Sequence, residues 1–353
     1  MIEVYYATNR RILAEGKTPK FGDRFNEKGP QELRFGSAKV QKVKGKYALK
    51  KVVLMPERKD KALPSGEIFE DLRKAMADKQ LDVICLIHGF AATVETALER
   101  AAEIKDKYRV GGREAEVFVF SWPSDGAVFP PTNYFEDRAD AQASGIAMAR
   151  AFFKLRAFLN ALDPKQQCKQ SLHLVAHSMG NYALRWAFQA IRVELGGRLP
   201  RFFDNIFLMA ADEDDDALHS IEKLALLPNL ARNVHVYFSP DDRALVVSDI
   251  TKGNPDRLGS HGPAVRDGLR NNVVLVDCRH VDVSDDDISN HQYYRLNEKV
   301  VDDVKQVLKG KHPDEIEGRT ISPDGRSWRI DAGPGDPVAE RERLTGRHED
   351  RGN

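Results

Sequence analysis

The sequence is poor in cysteine, with only Cys85, Cys168 and Cys278 in 353 residues, widely spaced and without a Cys-x-x-Cys pair. An odd, scattered set of this kind argues against a disulfide framework and against a zinc site. Cys85 and Cys278 sit in apolar, strand-like runs, where a free thiol acts as a small hydrophobe. Charge of one sign is also lacking. Lys+Arg and Asp+Glu both number 54, so no overall field draws the chain to nucleic acid or anionic lipid. No apolar stretch approaches the ~18 residues of a membrane span. The start, Met1-Ile-Glu-Val-Tyr-Tyr-Ala7, has no basic segment followed by the apolar core of a signal peptide. Internal repeats are absent. These features point to a soluble protein made in the cytoplasm. What the chain does have is 41% hydrophobic residues, ample for the core of one large α/β domain with appendages or of two small domains.

The pattern changes along the chain. Ile2 to Ala7 reads as a strand, followed by a polar, Gly-bearing loop to Pro30. Glu32 to Val43 and Lys46 to Met55 read as antiparallel strands around Gly45, with Lys42, Lys44 and Lys46 on a solvated face that discourages edge pairing. Ile68 to Lys79 has helical spacing. From there strands and helices alternate. Strands are expected at 82–87, 115–120, 172–175, 206–210, 234–238 and 272–277, and helices at 93–108, 133–162, 179–193, 217–226 and 291–309. Continuous apolar runs such as Asp82-Val-Ile-Cys-Leu-Ile87 are those of parallel strands buried on both faces. The alternation implies a doubly wound, mostly parallel sheet covered on both sides, with antiparallel N-terminal strands. One domain is expected over residues 1–310, with a strand extension at 1–70 and the core at 81–310. Residues 311–353 form a C-terminal extension, with a hairpin over Arg319 to Ile330 and a charged, Gly/Pro-rich tail that reads as mobile.

The stretch Ser171-Leu-His-Leu-Val-Ala-His-Ser-Met-Gly-Asn181 organises the rest. A buried strand meets a helix at Ser178, with small residues, Ala176 and Gly180, two positions away on either side. A sharp strand-to-helix turn brings two backbones into near contact and leaves no room for bulk at those positions. It also holds the serine in a strained conformation with its hydroxyl above the sheet. The plain alternative is a strand ending in a helix-capping serine.

A serine hydroxyl needs a base, and the base needs an orienting acid. Ligands of an open parallel sheet bind outside the carboxyl ends of its strands, so the partners belong in loops after later strands. Ser239-Pro-Asp-Asp-Arg-Ala-Leu245 offers Asp242, the leading candidate acid, and Asp241. Asp212, which follows an earlier strand, is a further alternative. The acids at 212–216 lack the Gly and Glu of a calcium loop. His291 is the expected base, at the start of the last helix, because a loop of some ten residues lets it fold back over Ser178; His280 is its rival. His177 beside Ser178 reads as structural. For the oxyanion, the N–H of Met179 and that of Phe90 or Ala91, in Ile87-His-Gly-Phe-Ala-Ala92, are the candidate donors. Trp122, Phe129 and Tyr134 cluster in the loop after Phe120 and are expected to wall the substrate, and residues 249–268 to form the opposite rim. No metal ligands are expected.

Taken together, Tyr-Ala-Thr-Asn-Arg at the start, His-Gly-Phe, Phe-Ser-Trp-Pro-Ser, Ala-His-Ser-Met-Gly-Asn, Ser-Pro-Asp-Asp-Arg-Ala-Leu and Asn-His-Gln-Tyr-Tyr resemble a bacterial branch of the α/β-hydrolase superfamily. That branch is a domain of unknown function described as serine esterases or lipases. The resemblance covers roughly residues 1–305, in the family's order, and implies an α/β-hydrolase fold. It also implies Asp242 as acid, His291 as base and a cofactor-free hydrolase, but transfers no substrate; a small-molecule acyl ester is the substrate expected from the serine chemistry itself. Ala176 replaces the commoner Gly but is still small. A peptidase, thioesterase or acyltransferase on the same residues stays open, because fold and triad do not choose the acyl group. So does a non-catalytic binding module with this fold. Oligomeric state is not readable.

Overall fold

A computed structural model describes residues 1–16, 18–55, 64–109, 113–245, 256–281, 287, 289–322 and 325–330. The first part of the chain forms β1 (Ile2–Thr8), β2 (Arg10–Ala14), β3 (Lys20–Phe25), β4 (Arg34–Val43), β5 (Lys46–Leu54) and α1 (Pro64–Lys79). The middle forms β6 (Val83–Ile87), α2 (Val94–Lys107), β7 (Glu116–Ser121), α3 (Thr132–Asn160), β8 (Leu172–His177) and α4 (Met179–Glu194). Then come β9 (Phe203–Met209), β10 (Ala231–Phe238), α5 (Leu258–His261) and β11 (Val273–Asp277). The last elements are α6 (Tyr293–Leu296), α7 (Glu298–Leu308), β12 (Arg319–Ile321) and β13 (Trp328–Ile330).

Eleven strands make one sheet in the order β12-β13-β11-β10-β9-β8-β6-β7-β1-β4-β5. The eight from β13 to β1 are mutually parallel, while β12 on one edge and β4 and β5 on the other pair antiparallel. Central strands are apolar throughout because both faces are covered. In β6, Val83 and Ile87 enter the core under α1, α3 and α4, whereas Ile84 and Leu86 enter the core under α2 and α7. Thr93 starts α2 by accepting the Thr96 N–H at 3.2 Å, one of the N-terminal donors the helix cannot satisfy itself.

The winding positions the site. From β6 the chain steps outward to β7, crosses back past β6 to β8, and continues through β9, β10 and β11 in the opposite direction. Loops leaving β6 and β8 therefore diverge, and their strands' carboxyl ends border a crevice. The Gly89 loop and Ser178 both lie there.

Four expectations need correction. The polar loop to Pro30 contains the two-stranded sheet β2–β3, whose first residue, Arg10, is buried and tied to the main body. The helix expected over 217–226 does not form. Lys223 folds back onto Asp214 (2.8 Å) and Asp216, and the segment closes as successive turns around buried Leu224. The last helix begins at Tyr293, two residues after His291, and is interrupted at Asn297, which caps α7 by accepting from Lys299 and Val300. Residues 249–255 of the expected rim lie outside the described residues. The described part, α5, wedges between strand ends instead, with Gly259 N–H on Ala211 O (2.9 Å) and Ser239 N–H on Gly259 O (2.9 Å). The hairpin after residue 318 forms as β12–β13 and extends the sheet. The tail at 331–353 lies outside the described residues, as do residues 323–324 of the hairpin turn. No helix among the described residues is long and apolar enough to cross a membrane.

Candidate active site

Ser178 sits at φ 54° and ψ −128°, a region that L-residues avoid at a cost of about 1–3 kcal/mol. The surroundings hold it there. Its N–H donates to Met209 O (3.0 Å), and its carbonyl accepts from Asn181 (2.9 Å) and Asp212 (3.2 Å). The Asn181 amide, fully buried, also donates to Ala176 O (3.0 Å) and so ties strand to helix. The small flanking residue has a direct steric cause. A Cβ on Gly180 would come within 2.6 Å of the carbonyl oxygens of both Ile87 and His88. On the facing loop, a Cβ on Gly89 would lie 2.7 Å from Ser178 Cβ. The loop after β6 and the turn after β8 are thus in contact at Ser178.

The acid and base candidates meet as well. His291 Nδ1–H donates to Asp242 Oδ2 at 2.6 Å, and both residues are buried. Asp242 Oδ1 accepts the N–H groups of Ala244 (3.1 Å) and Leu245 (3.2 Å), which fix the carboxylate in the turn after β10. Burial pushes the His291 pKa down, but the charge of Asp242 and its hydrogen bond outweigh that effect and leave the pKa above its ordinary 6.5. Of the other candidate acids, Asp241 is exposed, and Asp212 accepts the Tyr134 hydroxyl (2.7 Å) and lies 3.6 Å from Arg257. It is His291, and not His280, that carries the bond to Asp242.

Two further groups hold His291. Asp287 Oδ2 accepts the N–H groups of His291 (2.7 Å) and Gln292 (2.6 Å). His177, next to Ser178, lies with its ring centre 4.7 Å from that of His291 and stacks on Tyr294 at 4.4 Å. Burial drives the His177 pKa well below 6.5, so the ring is neutral and its Nε2–H donates to His291 O at 3.2 Å. Arg243 N–H on Ser289 O (2.9 Å) ties the loop of the acid to the loop of the base.

Met179 N–H opens α4, and neither it nor Phe90 N–H has a hydrogen-bond partner among the described residues. Ala91 differs: its φ is 51°, and its N–H donates to Asp137 Oδ2 at 3.3 Å. Phe90 therefore fits the second oxyanion donor better than Ala91. The loop is braced from behind. Ser124 Oγ accepts Ala92 N–H (3.0 Å) and donates to Asp137, and burial lifts the Asp137 pKa to about 6 against these hydrogen bonds. The Arg10 guanidinium, 2% exposed, donates to Ala92 O (2.7 Å), Ser124 O (2.9 Å) and Ser121 Oγ (3.1 Å). Arg10, Ser124, Asp137 and Asp287 escaped sequence reasoning. The one signal was polar residues directly at strand ends, in Thr-Asn-Arg and Ser-Trp-Pro-Ser.

The aromatic trio separates. Trp122 is fully buried, stacks on neutral His88 at 4.9 Å and donates its indole N–H to His88 O (2.9 Å), so it supports the loop and does not wall a cleft. Phe129 is 78% exposed on the connection to α3. Tyr134 is half-buried and reaches the site, with Phe90 at 5.6 Å and Asp212 at its hydroxyl. Among the described residues no group of three His, Cys, Asp or Glu is placed to hold a metal ion. Of the acids at 212–216, Asp212, Glu213, Asp214 and Asp216 pair with Arg185, Lys223 or Arg257.

A mostly parallel, doubly covered sheet with a strained serine turn at its switch point defines an α/β hydrolase. Comparison with protein families agrees. Residues 65–311, well over half the chain, match a family described as alpha/beta hydrolase of unknown function, and the chain belongs to that family. Comparisons with curated proteins and with solved structures find no match. The N-terminal strands precede the matched span yet complete the sheet.

Proposed function

We propose that the protein is a serine hydrolase, most simply a carboxylesterase, acting through an acyl-enzyme on Ser178. The observation that carries this reading is the 2.6 Å bond from His291 Nδ1–H to a buried Asp242, together with a serine at φ 54° whose chain neighbour His177 has its ring 4.7 Å from that of His291. With Nδ1 carrying the proton, Nε2 is the basic nitrogen, the tautomer a general base requires. Ser178 Oγ attacks the ester carbonyl as His291 Nε2 takes its proton. The negative charge on the carbonyl oxygen is met by the N–H groups of Met179 and Phe90, which need no reorganisation because loop and helix hold them. His291 then gives the proton to the departing alkoxide. Water, deprotonated by His291, attacks the acyl carbon; the bond to Ser178 Oγ then breaks, His291 returns the proton to that oxygen, and the acid leaves. Asp242 orients the ring and stabilises the imidazolium throughout. Each step balances with the chain's own groups and water.

Tyr134 with Phe90 supplies a partly exposed aromatic surface beside the reacting atoms, which suits an apolar acyl or alcohol group. The test is turnover of a short-to-long nitrophenyl ester panel by the wild type and Ser178→Ala. The wild type is expected to hydrolyse at least one ester, and the variant to lose turnover with unchanged circular dichroism and thermal unfolding. A folded variant with undiminished rate would exclude Ser178 as nucleophile. Acyl transfer to an added alcohol or amine, at the expense of hydrolysis, would favour an acyltransferase.

A further inference from the structure

A cavity of about 440 Å³ lies under the sheet, away from Ser178. Its floor includes Cys85 of β6, Phe118 of β7 and Leu174 of β8, and its roof Met76 of α1 with Phe152 and Phe158 of α3. The turn at Ser178, the Gly89–Ala91 loop and the segments bearing Asp242 and His291 contribute nothing to its wall. Polar groups gather where α3 hands over to β8, in Asn160, Gln166, Gln167 and Gln170. Arg73 adds a cation there that Glu70 already neutralises at 2.6 and 2.8 Å. Cys85, in the middle of a central strand whose neighbours are buried, keeps accessible surface towards this cavity, which is open on one side.

From this arrangement we infer that the cavity is a second, non-catalytic site for a long-chain fatty acid, its chain along the sheet and its head among the rim amides. Water gains little in an apolar space, and apolar cavities stay dry until an apolar ligand fills them. A cavity of ~150 Å³ takes benzene, about 25 Å³ per carbon, and at that rate 440 Å³ holds a chain of about 17 carbons. Rim amides offer N–H donors to a carboxyl head, and Arg73 among the lining residues is paired with Glu70. The site does not depend on the hydrolase reading, because no residue is shared.

The test is titration of the full chain with cis-parinaric acid, followed by displacement with palmitate and with octanoate. One equivalent is expected to bind, and palmitate to displace it at least tenfold more effectively than octanoate. Palmitate is also expected to slow alkylation of Cys168, which lines the cavity and is partly exposed, read by peptide mapping, which requires no variant. Cys85→Trp and the milder Ala151→Leu, each checked by thermal unfolding, should weaken binding about tenfold or more while ester turnover is unchanged. Absence of saturable binding would overturn the proposal. So would binding undiminished in both folded variants, or binding lost when Ser178 is capped by a phosphonate, which would put the chain in the catalytic crevice.

Discussion

Replacing Asp242 by Asn conserves the volume of a fully buried side chain and changes only which atoms donate. Oδ1 now accepts from Ala244 and Leu245 at 3.1 and 3.2 Å, and Oδ2 accepts from His291 at 2.6 Å. An Asn that keeps its oxygen on the two backbone donors must point its NH₂ at His291 Nδ1. Two donors then face each other, and the imidazole escapes by moving its proton to Nε2. In that tautomer it cannot take a proton from Ser178. A change of this kind in a serine-protease triad lowers kcat about 10⁴-fold, or about 5.4 kcal/mol of transition-state stabilisation. A loss of that order is expected here. The variant also removes the charge that now holds the His291 pKa above 6.5, leaving burial to push it down. The acid limb of kcat/KM should therefore move to lower pH while the plateau falls. The assay is ester hydrolysis from pH 5 to 9, with circular dichroism to establish an unchanged fold. Asp212→Asn, which disturbs the Tyr134 hydroxyl but no bond to His291, should cost no more than about tenfold. Asp242→Asn within tenfold of wild type, or a larger loss at Asp212, would refute the reasoning.

Further outcomes follow from the same geometry. Because the base works only when neutral and its pKa is raised, wild-type kcat/KM should fall as pH drops through a value above 6.5. A profile flat down to pH 6 would contradict this. Gly180→Ala, with two carbonyl oxygens 2.6 Å from the new methyl, should destabilise the fold by about 1–3 kcal/mol in urea denaturation. Activity should fall too, as α4 shifts Ser178. Arg10→Met strands Ala92 O and Ser124 O without their donor, at about 1–3 kcal/mol each. Urea denaturation should show that loss, and kcat should drop more than KM rises, because the loop carrying Phe90 loses its brace.

Sequence reasoning reached some of this structure and not the rest, for physical reasons. Ser178 was readable because its demands are local: a tight turn needs small residues at 176 and 180, and the facing carbonyls at 2.6 Å explain why. Asp242 and His291 were readable because parallel winding puts strand ends on one edge, although choosing Asp242 over Asp212 required the 2.6 Å contact or the family resemblance. Phe90 could not be separated from Ala91, since the group that occupies Ala91 N–H is Asp137, 46 positions away on α3. Trp122 looked like a cleft wall because an aromatic in a strand-end loop gives no sign of which way it faces. The helix over 217–226 had an apolar pattern to support it, but Asp214 and Asp216 pull Lys223 back and close the chain on itself. β2 and β3 are short and charged, and a buried Arg10, not a hydrophobic face, fixes the first of them.

The central claim is that Ser178 is a nucleophile activated by His291, and a fluorophosphonate probe tests it directly. The account predicts stoichiometric labelling of the folded wild type, mapped to Ser178, with the rate falling at least a hundredfold in His291→Ala. Labelling elsewhere, equal labelling in that variant, or none in well-folded protein would contradict it.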